Sequence, residues 1–222
     1  MNSPMIQLLV LAGIAVFLIL RLKNVLGTRE GFEKPPVTDQ STTSSRRGSG
    51  AAFEVIEGGP DLDITDHIPA NSDAAKALAS MKRIEPSFSV TEFLGGARAA
   101  YEMIVMGFEG GNLSEIQPFL SEEIYDSFVD GVAAREDKGL TVEAEFIGVR
   151  ETELVDATLD PDTKEAELTI RFVGELTSAV RDSAGEIVEG STTQVKRQKD
   201  TWVFARIMGS DDPNWLLVST DG

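Results

Sequence analysis

The 222-residue sequence predicts an α+β protein, in which a transmembrane helix and a flexible linker precede helices packed on an antiparallel sheet of about four strands. Three observations lead to this architecture. The first twenty residues contain no charged side chain. Apolar residues then recur at helical spacing from about residue 72 to residue 134. From Leu140 onward apolar and polar residues alternate, as they do in strands with one buried face.

Residues 1–27 are predicted to form a membrane anchor with a basic flank. About twenty residues at 1.5 Å each give a helix of about 30 Å, the thickness of the hydrocarbon core of a bilayer. The positive charges follow the apolar run and no Ala-x-Ala motif comes after it, which favours an uncleaved anchor over the alternative, a signal peptide. The positive-inside rule then places the C-terminal side in the cytoplasm or an organelle matrix. The predicted anchor residues are Ile6, Leu8, Leu11, Ile14, Phe17, Leu20, Arg21 and Lys23.

Residues 28–71 are predicted to be a disordered linker, because Gly, Pro, Ser and Thr dominate its first half. Within it, residues 53–56 are either neutral linker sequence or a short partner-binding motif. The single histidine of the chain, His67, lies near its end and is expected to be solvated.

Residues 72–88 are predicted to be a short helix that leads into a domain formed by residues 89–222. Ser72 is positioned to cap the short helix, and its apolar stripe is expected to pack on the domain. The next helix opens with Ser89-x-x-Glu92, a capping box in which the two side chains satisfy free backbone amides reciprocally. Paired glycines at 110 and 111 end this helix.

The strands are predicted from alternation and from turn residues. The apolar phase shifts at Gly148, which predicts a bulge that bends the first strand. The third strand is expected at residues 190–207 and a short last strand at residues 215–219. Bent strands that curl around helices commonly leave an apolar pocket. Its candidate lining residues, which also suit a core, are Tyr101, Val105, Phe146, Ile170, Phe172, Trp202 and Phe204.

The stretch WVFARIMGSDDPNWLL, from Trp202 to Leu217, resembles the terminal signature of the Tim44-like domain family. The stretch FLGGARAAYEMIVMGFEGGNLSEIQPFLSEEIYDSF is similar to the first conserved block of that family, so that the resemblance covers about residues 93–220. It implies a cone of helices on a curved antiparallel sheet, akin to nuclear transport factor two. The residues that match the signature turn are Gly209, Asp212, Pro213, Asn214 and Trp215.

The resemblance also implies a function. The family is named for a mitochondrial inner-membrane adaptor that holds a translocation channel and an ATP-driven chaperone together. This sequence has no Arg-rich transit peptide and no long charged segment before the domain, and it is similar to the anchored bacterial branch. The expected localisation is therefore the bacterial inner membrane, with a single span and the C-terminal domain in the cytoplasm. The expected partners are membrane lipid, through the anchor, and a protein such as a chaperone or a translocase.

Composition narrows the class of function. A net charge of −17 argues against nucleic-acid binding, because phosphates would be repelled. The absence of cysteine excludes disulfides, thiolate catalysis and cysteine-based zinc sites. Residues 91–222 contain 27 acidic and 11 basic side chains, a net charge of 11 − 27 = −16, which opposes binding to an anionic lipid surface through the domain.

No catalytic residue, metal or cofactor is predicted. The acidic loop around residue 160 matches no EF-hand spacing, and Asp211 and Asp212 suit a turn. Lys196, Arg197 and Lys199 form the only basic cluster of the sheet. That cluster either pairs with glutamates across strands or docks an acidic partner.

Two functions remain from the sequence. The first is a membrane-anchored, non-enzymatic adaptor that binds proteins on its surface or in a groove. The alternative is a pocket for a lipid or another apolar small molecule. The lack of a histidine inside the domain and of a convergent polar triad favours the adaptor.

Overall fold

The computed structural model describes residues 61–221, and it confirms the α+β class. The helices are α1 (Leu62–Thr65), α2 (Asp73–Ile84), α3 (Val90–Gly110), α4 (Leu113–Ile116), which runs into a 3₁₀ turn (Gln117–Phe119), and α5 (Glu122–Glu136). The strands are β1 (Thr141–Leu159), β2 (Glu165–Arg181), β3 (Ile187–Ile207) and β4 (Leu216–Asp221). They form one antiparallel sheet in the order β1-β2-β3-β4.

The predicted anchor, residues 1–27 with its eight named residues from Ile6 to Lys23, lies outside the described residues. Residues 28–60 of the predicted linker lie outside them as well. Between residues 61 and 221, no helix is both long and apolar enough to cross a membrane.

The prediction that the linker extends to residue 71 is wrong for its last part. Asp61 caps α1 by accepting a hydrogen bond from the amide of Asp63, and both Ile64 and Ile68 are buried in the core. The two isoleucines are four residues apart and lie on one face of a helical turn, and Asp63 adds an ion pair to Lys82 (2.7 Å). His67 is half-buried rather than free, and its Nε2 lies 3.0 Å from the hydroxyl of Thr91.

The capping box predicted at the start of α3 forms only in part. Ser89 accepts a hydrogen bond from the amide of Glu92 (3.2 Å), as expected, but the Glu92 side chain is exposed. The other cap comes from Asp63, whose carboxylate accepts the amides of Val90 (2.8 Å) and Thr91 (2.9 Å). A residue of α1 therefore satisfies two further orphan amides in the first turn of α3.

Helix α2 confirms the sequence prediction. Ser72 accepts a hydrogen bond from the amide of Ala75 (3.1 Å), and Leu78 and Met81 are fully buried. The helix packs against β1. The apolar stripe of α2 is therefore a packing surface, and residues 72–88 are an integral part of the domain.

The sheet contains several bulges. The register between β1 and β2 shifts between Phe146 and Gly148, at the glycine where the sequence predicted a bulge. On β3, residues 192–195 lie opposite Thr177 alone, since Lys196 pairs with Leu176 and Ser191 pairs with Ser178. Bulges bend strands and increase their twist, so the long strands are curved at these positions.

Candidate functional site

The predicted pocket is filled by its own side chains. Tyr101 is fully buried, and the centre of its ring lies 4.5 Å from that of Phe172 and 4.7 Å from that of Trp202. A Cβ atom on Gly174 would lie 2.7 Å from the Tyr101 hydroxyl oxygen, so only glycine leaves room for the phenol. Six of the seven predicted lining residues are buried and Phe146 is partly buried. These residues form the core between α3 and the sheet.

A separate groove of about 540 Å³ lies between the free edge of β3 and the helices, and we call it the β3 groove. Of the predicted pocket residues, Val105 and Trp202 line it. Its complete lining is Ile104, Val105, Phe108 and Glu109 from α3, Phe128 from α5, Lys196, Arg197, Gln198, Lys199, Asp200 and Trp202 from β3, and Thr220 and Asp221 from β4.

Within residues 61–221, β4 pairs with only part of β3. Strand β4 pairs with β3 only between Thr201 and Ala205. The preceding residues of β3, from Lys196 to Asp200, pair with β2 on one side. On the other side, they have no strand partner and no other backbone hydrogen bond within residues 61–221. Backbone donors and acceptors therefore remain free along one side of the groove.

The opposite wall of the groove is mostly apolar, and Glu109 is the charged residue in its lining. Ile104 and Val105 of α3 are buried, and the rings of Phe108 and Phe128 are 4.6 Å apart. Arg135 holds this corner together, because its guanidinium lies 4.8 Å from the centre of the Phe108 ring and donates a hydrogen bond to the Phe108 carbonyl (2.6 Å). The wall is therefore fixed by packing between α3 and α5.

The floor of the groove contains a buried polar pair. The Tyr101 hydroxyl donates a hydrogen bond to the carboxylate of Asp200, which is only 6% exposed. The other carboxylate oxygen of Asp200 accepts a hydrogen bond from the Gln198 side chain (3.1 Å). Burial, together with the bond to Asp200, raises the pKa of Tyr101 far above its usual value. The phenol thus keeps its proton across the physiological range and acts as a fixed donor.

The rim of the groove carries the basic cluster that the sequence singled out. Arg197 pairs with Glu175 of β2 (3.0 Å), which also accepts a bond from Arg150 of β1 (2.9 Å). Cross-strand pairing therefore explains Arg197. Lys196 and Lys199 are exposed, and neither forms a salt bridge within the part of the chain that the structure describes.

The signature turn packs on the domain instead of opening into the groove. Asp212 accepts bonds from the backbone and side-chain amides of Asn214 (2.9 and 2.8 Å), and Gly209 has φ +75°, which favours glycine. The ring of Trp215 lies 4.8 Å from that of Phe93 on α3, while Pro213 accepts a bond from Arg206 (3.3 Å). The turn closes the sheet against the start of α3, as the turn chemistry indicated.

Three residues that line the groove, Phe108, Phe128 and Asp200, were not identified as site residues from the sequence. Phe108 and Phe128 are spaced like ordinary core residues, so no pattern distinguished them as a wall. Asp200 stands in a polar stretch next to Lys199, and nothing in the sequence indicated that its side chain is buried.

Among residues 61–221, no group of three or more His, Cys, Asp and Glu side chains could hold a metal ion.

Comparisons with known proteins identify a family and a similar solved structure. The family model described as the Tim44-like domain matches residues 74–222, more than half of the chain. A comparison with curated proteins finds no match. Among solved structures, the intermembrane space region of the chloroplast protein ARC6 is similar, with 16% sequence identity and a TM-score of 0.34. That match covers 68% of this chain and 95% of the other.

Proposed function

This chain belongs to the Tim44-like domain family, as its signature predicted, and on that premise we propose that it is a membrane-associated, non-enzymatic adaptor that holds partner proteins in the β3 groove. The observation that carries the proposal is the uncovered edge of β3 beside an apolar wall. Folded proteins usually cover or protect such edges, and a free edge is a known site for peptide recognition.

The membrane association proposed here is a single span formed by residues 1–27. The apolar length of this segment and the basic residues that follow it support an anchor in the bacterial inner membrane, with the domain on the cytoplasmic side. We propose a chaperone or a component of a translocation or assembly pathway as the partner, in line with the adaptor role of the family.

The absence of enzymatic activity is also part of the proposal. The Tyr101 phenol, whose pKa is raised and whose proton is engaged by Asp200, is a poor general acid or base at neutral pH. The signature turn uses its carboxylate in hydrogen bonds to its own backbone. The alternative, an apolar small-molecule pocket, has less support because the residues proposed to line it fill that space themselves.

Crosslinking in the native membrane tests the adaptor proposal. The full-length protein is crosslinked, purified and analysed by mass spectrometry, and a chain limited to residues 1–60 serves as the control for binding through the anchor. We expect a chaperone, translocase subunit or assembly factor in stoichiometric yield with the full-length protein only. Recovery of lipid or a small molecule alone would contradict the adaptor and favour the pocket.

A further inference from the structure

We propose that the β3 groove binds its partner by β-strand addition, in which an extended segment with alternating apolar and acidic residues pairs with the edge of β3 at residues 196–200. The proposal rests on the adaptor function, and it specifies the kind of segment that the partner presents. The added strand lies in line with β4, on the same edge of the sheet.

The backbone of β3 supplies the first argument. The five residues from Lys196 to Asp200 span about 17 Å at 3.3 Å per residue, the length of a typical strand. They pair in unbroken register with β2 from Phe172 to Leu176. Their free side faces the groove, so an incoming strand meets a row of backbone donors and acceptors in a fixed arrangement.

The two faces of β3 determine the side chains that the added strand needs. Trp202 faces the core, so Asp200 and Gln198 lie on the helix side and Lys199 lies on the outer side, because side chains alternate along a strand. Residues of an added strand that point inward reach the apolar wall at Val105 and Phe128. Those that point outward lie beside Lys199.

The unpaired Lys199 favours an acidic residue at the outward positions. Directly opposed opposite charges on neighbouring strands attract, and like charges repel. Lys199 has no carboxylate partner among residues 61–221, while Arg197, on the same outer face, already pairs with Glu175. Lys196 is two residues from Gln198 and lies on the helix side, at the far end of the groove. An acidic residue beside Lys199 therefore gains an ion pair that residues 61–221 do not supply.

The same lysines disfavour a second copy of this chain as the occupant. A lysine on an edge strand is one of the usual devices by which sheets avoid edge-to-edge pairing with another copy. The β3 edge at residues 196–200 therefore disfavours pairing with another copy of the same edge and favours a strand that carries an acidic residue beside Lys199.

Hydrogen–deuterium exchange with a defined probe tests the mode of binding. The probe is a capped peptide in which valine and glutamate alternate, titrated into the full-length protein in detergent. We expect slower exchange at residues 196–200 and a change in Trp202 fluorescence. A peptide with the same side chains, N-methylated on alternate residues, removes the pairing hydrogen bonds and is expected not to bind.

Paired variants test the charge argument. The variant Lys199→Glu is expected to weaken binding of the valine–glutamate peptide about fivefold, because a favourable cross-strand pair becomes repulsive. Lys138→Glu makes the same charge change at an exposed residue after α5, outside the groove, and is expected to leave the affinity unchanged. A matching peptide of valine and lysine is expected to bind more weakly than the glutamate peptide.

Three outcomes would overturn strand addition. The first is that the N-methylated peptide binds as tightly as the unmodified peptide. The second is that the groove variant and Lys138→Glu bind the peptide with equal affinity. The third is that the amides of residues 196–200 exchange freely only after residues 28–60 are deleted. The last would mean that the chain's own N-terminal segment fills the groove. Each leaves the adaptor proposal standing, because that proposal is decided by crosslinking in the membrane.

Discussion

The guanidinium of Arg206 on β3 bonds the carboxylate of Glu85, which follows α2, with 2.5 Å between Nη2 and Oε2. Only 7% of the Arg206 side chain is exposed. The same carboxylate oxygen accepts the amide of Gly209 (3.2 Å), and the guanidinium lies 5.3 Å from the centre of the Trp215 ring. One ion pair therefore joins the end of α2 to both ends of the signature turn.

We expect Glu85→Gln to reduce the free energy of unfolding by about 2–3 kcal/mol, because it leaves the nearly buried charge of Arg206 without a counter-ion. Urea denaturation measures the loss. Glu151→Gln, at an exposed position of β1 with no salt bridge among the described residues, is the matched control and is expected to change little. Similar losses in the two variants would show that the ion pair contributes nothing specific.

Acid is expected to weaken the domain through Asp63. Burial alone would raise the pKa of this carboxyl, but hydrogen bonds from Lys82, Thr91 and the Val90 amide hold it well below its usual value of about 4. Because the pKa is lower in the folded state, the stabilisation is complete above pH 4 and is lost as the pH falls below it.

Asp63→Asn tests this expectation by removing the charge at all pH values. The variant is expected to be less stable than the wild type at pH 7, with a difference that narrows as both are acidified below pH 4. Urea denaturation at several pH values measures both effects, with Asp66→Asn, a neighbouring exposed acid, as the control. Parallel stability curves for the wild type and Asp63→Asn would contradict the role assigned to Asp63.

Gly174→Ala is expected to destabilise the core by about 1–3 kcal/mol, because the new Cβ would lie 2.7 Å from the Tyr101 hydroxyl in a close-packed region. Gly148→Ala is the matched control, since no atom lies within 4 Å of the Cβ position on that strand glycine. Thermal unfolding of the two variants measures the difference. Equal melting temperatures would mean that Tyr101 moves aside without cost.

Tyr101→Phe is expected to cost about 1–3 kcal/mol, because it removes the donor that satisfies the buried carboxylate of Asp200. Tyr125→Phe, on the partly exposed face of α5, is expected to be nearly neutral. In a double-mutant cycle, Asp200→Asn is expected to cost less in the Tyr101→Phe background than in the wild type. Additive losses in denaturant would contradict a direct bond between the two residues.

Local patterns in the sequence predicted much of the fold. Ser72 was identified as the cap of α2, and Gly148 as the bulge of β1, since each depends on residues within a few positions along the chain. The alternation after Leu140 predicted the antiparallel sheet for the same reason. The signature at Trp202 to Leu217 led to the correct family.

Local sequence patterns could not predict contacts between residues that are far apart along the chain. Asp63 caps a helix 27 residues further along the chain at Val90, and Asp200 meets Tyr101 across 99 positions, so neither partner lies within any periodic window. The groove depends on where β4 stops pairing with β3, a boundary that alternation alone does not fix. The lysines were found as a basic cluster, but their position on an open edge follows from the register of the sheet.

Site-specific photocrosslinking tests the central claim, that a protein partner occupies the β3 groove. A photoreactive amino acid replaces Lys199 at the groove or, as the control, Lys138 after α5, each in the full-length protein in its native membrane. We expect one protein species to crosslink to the groove position in high yield and the control position to give little product. Comparable products from both positions, or a partner captured at Lys138 alone, would contradict this claim.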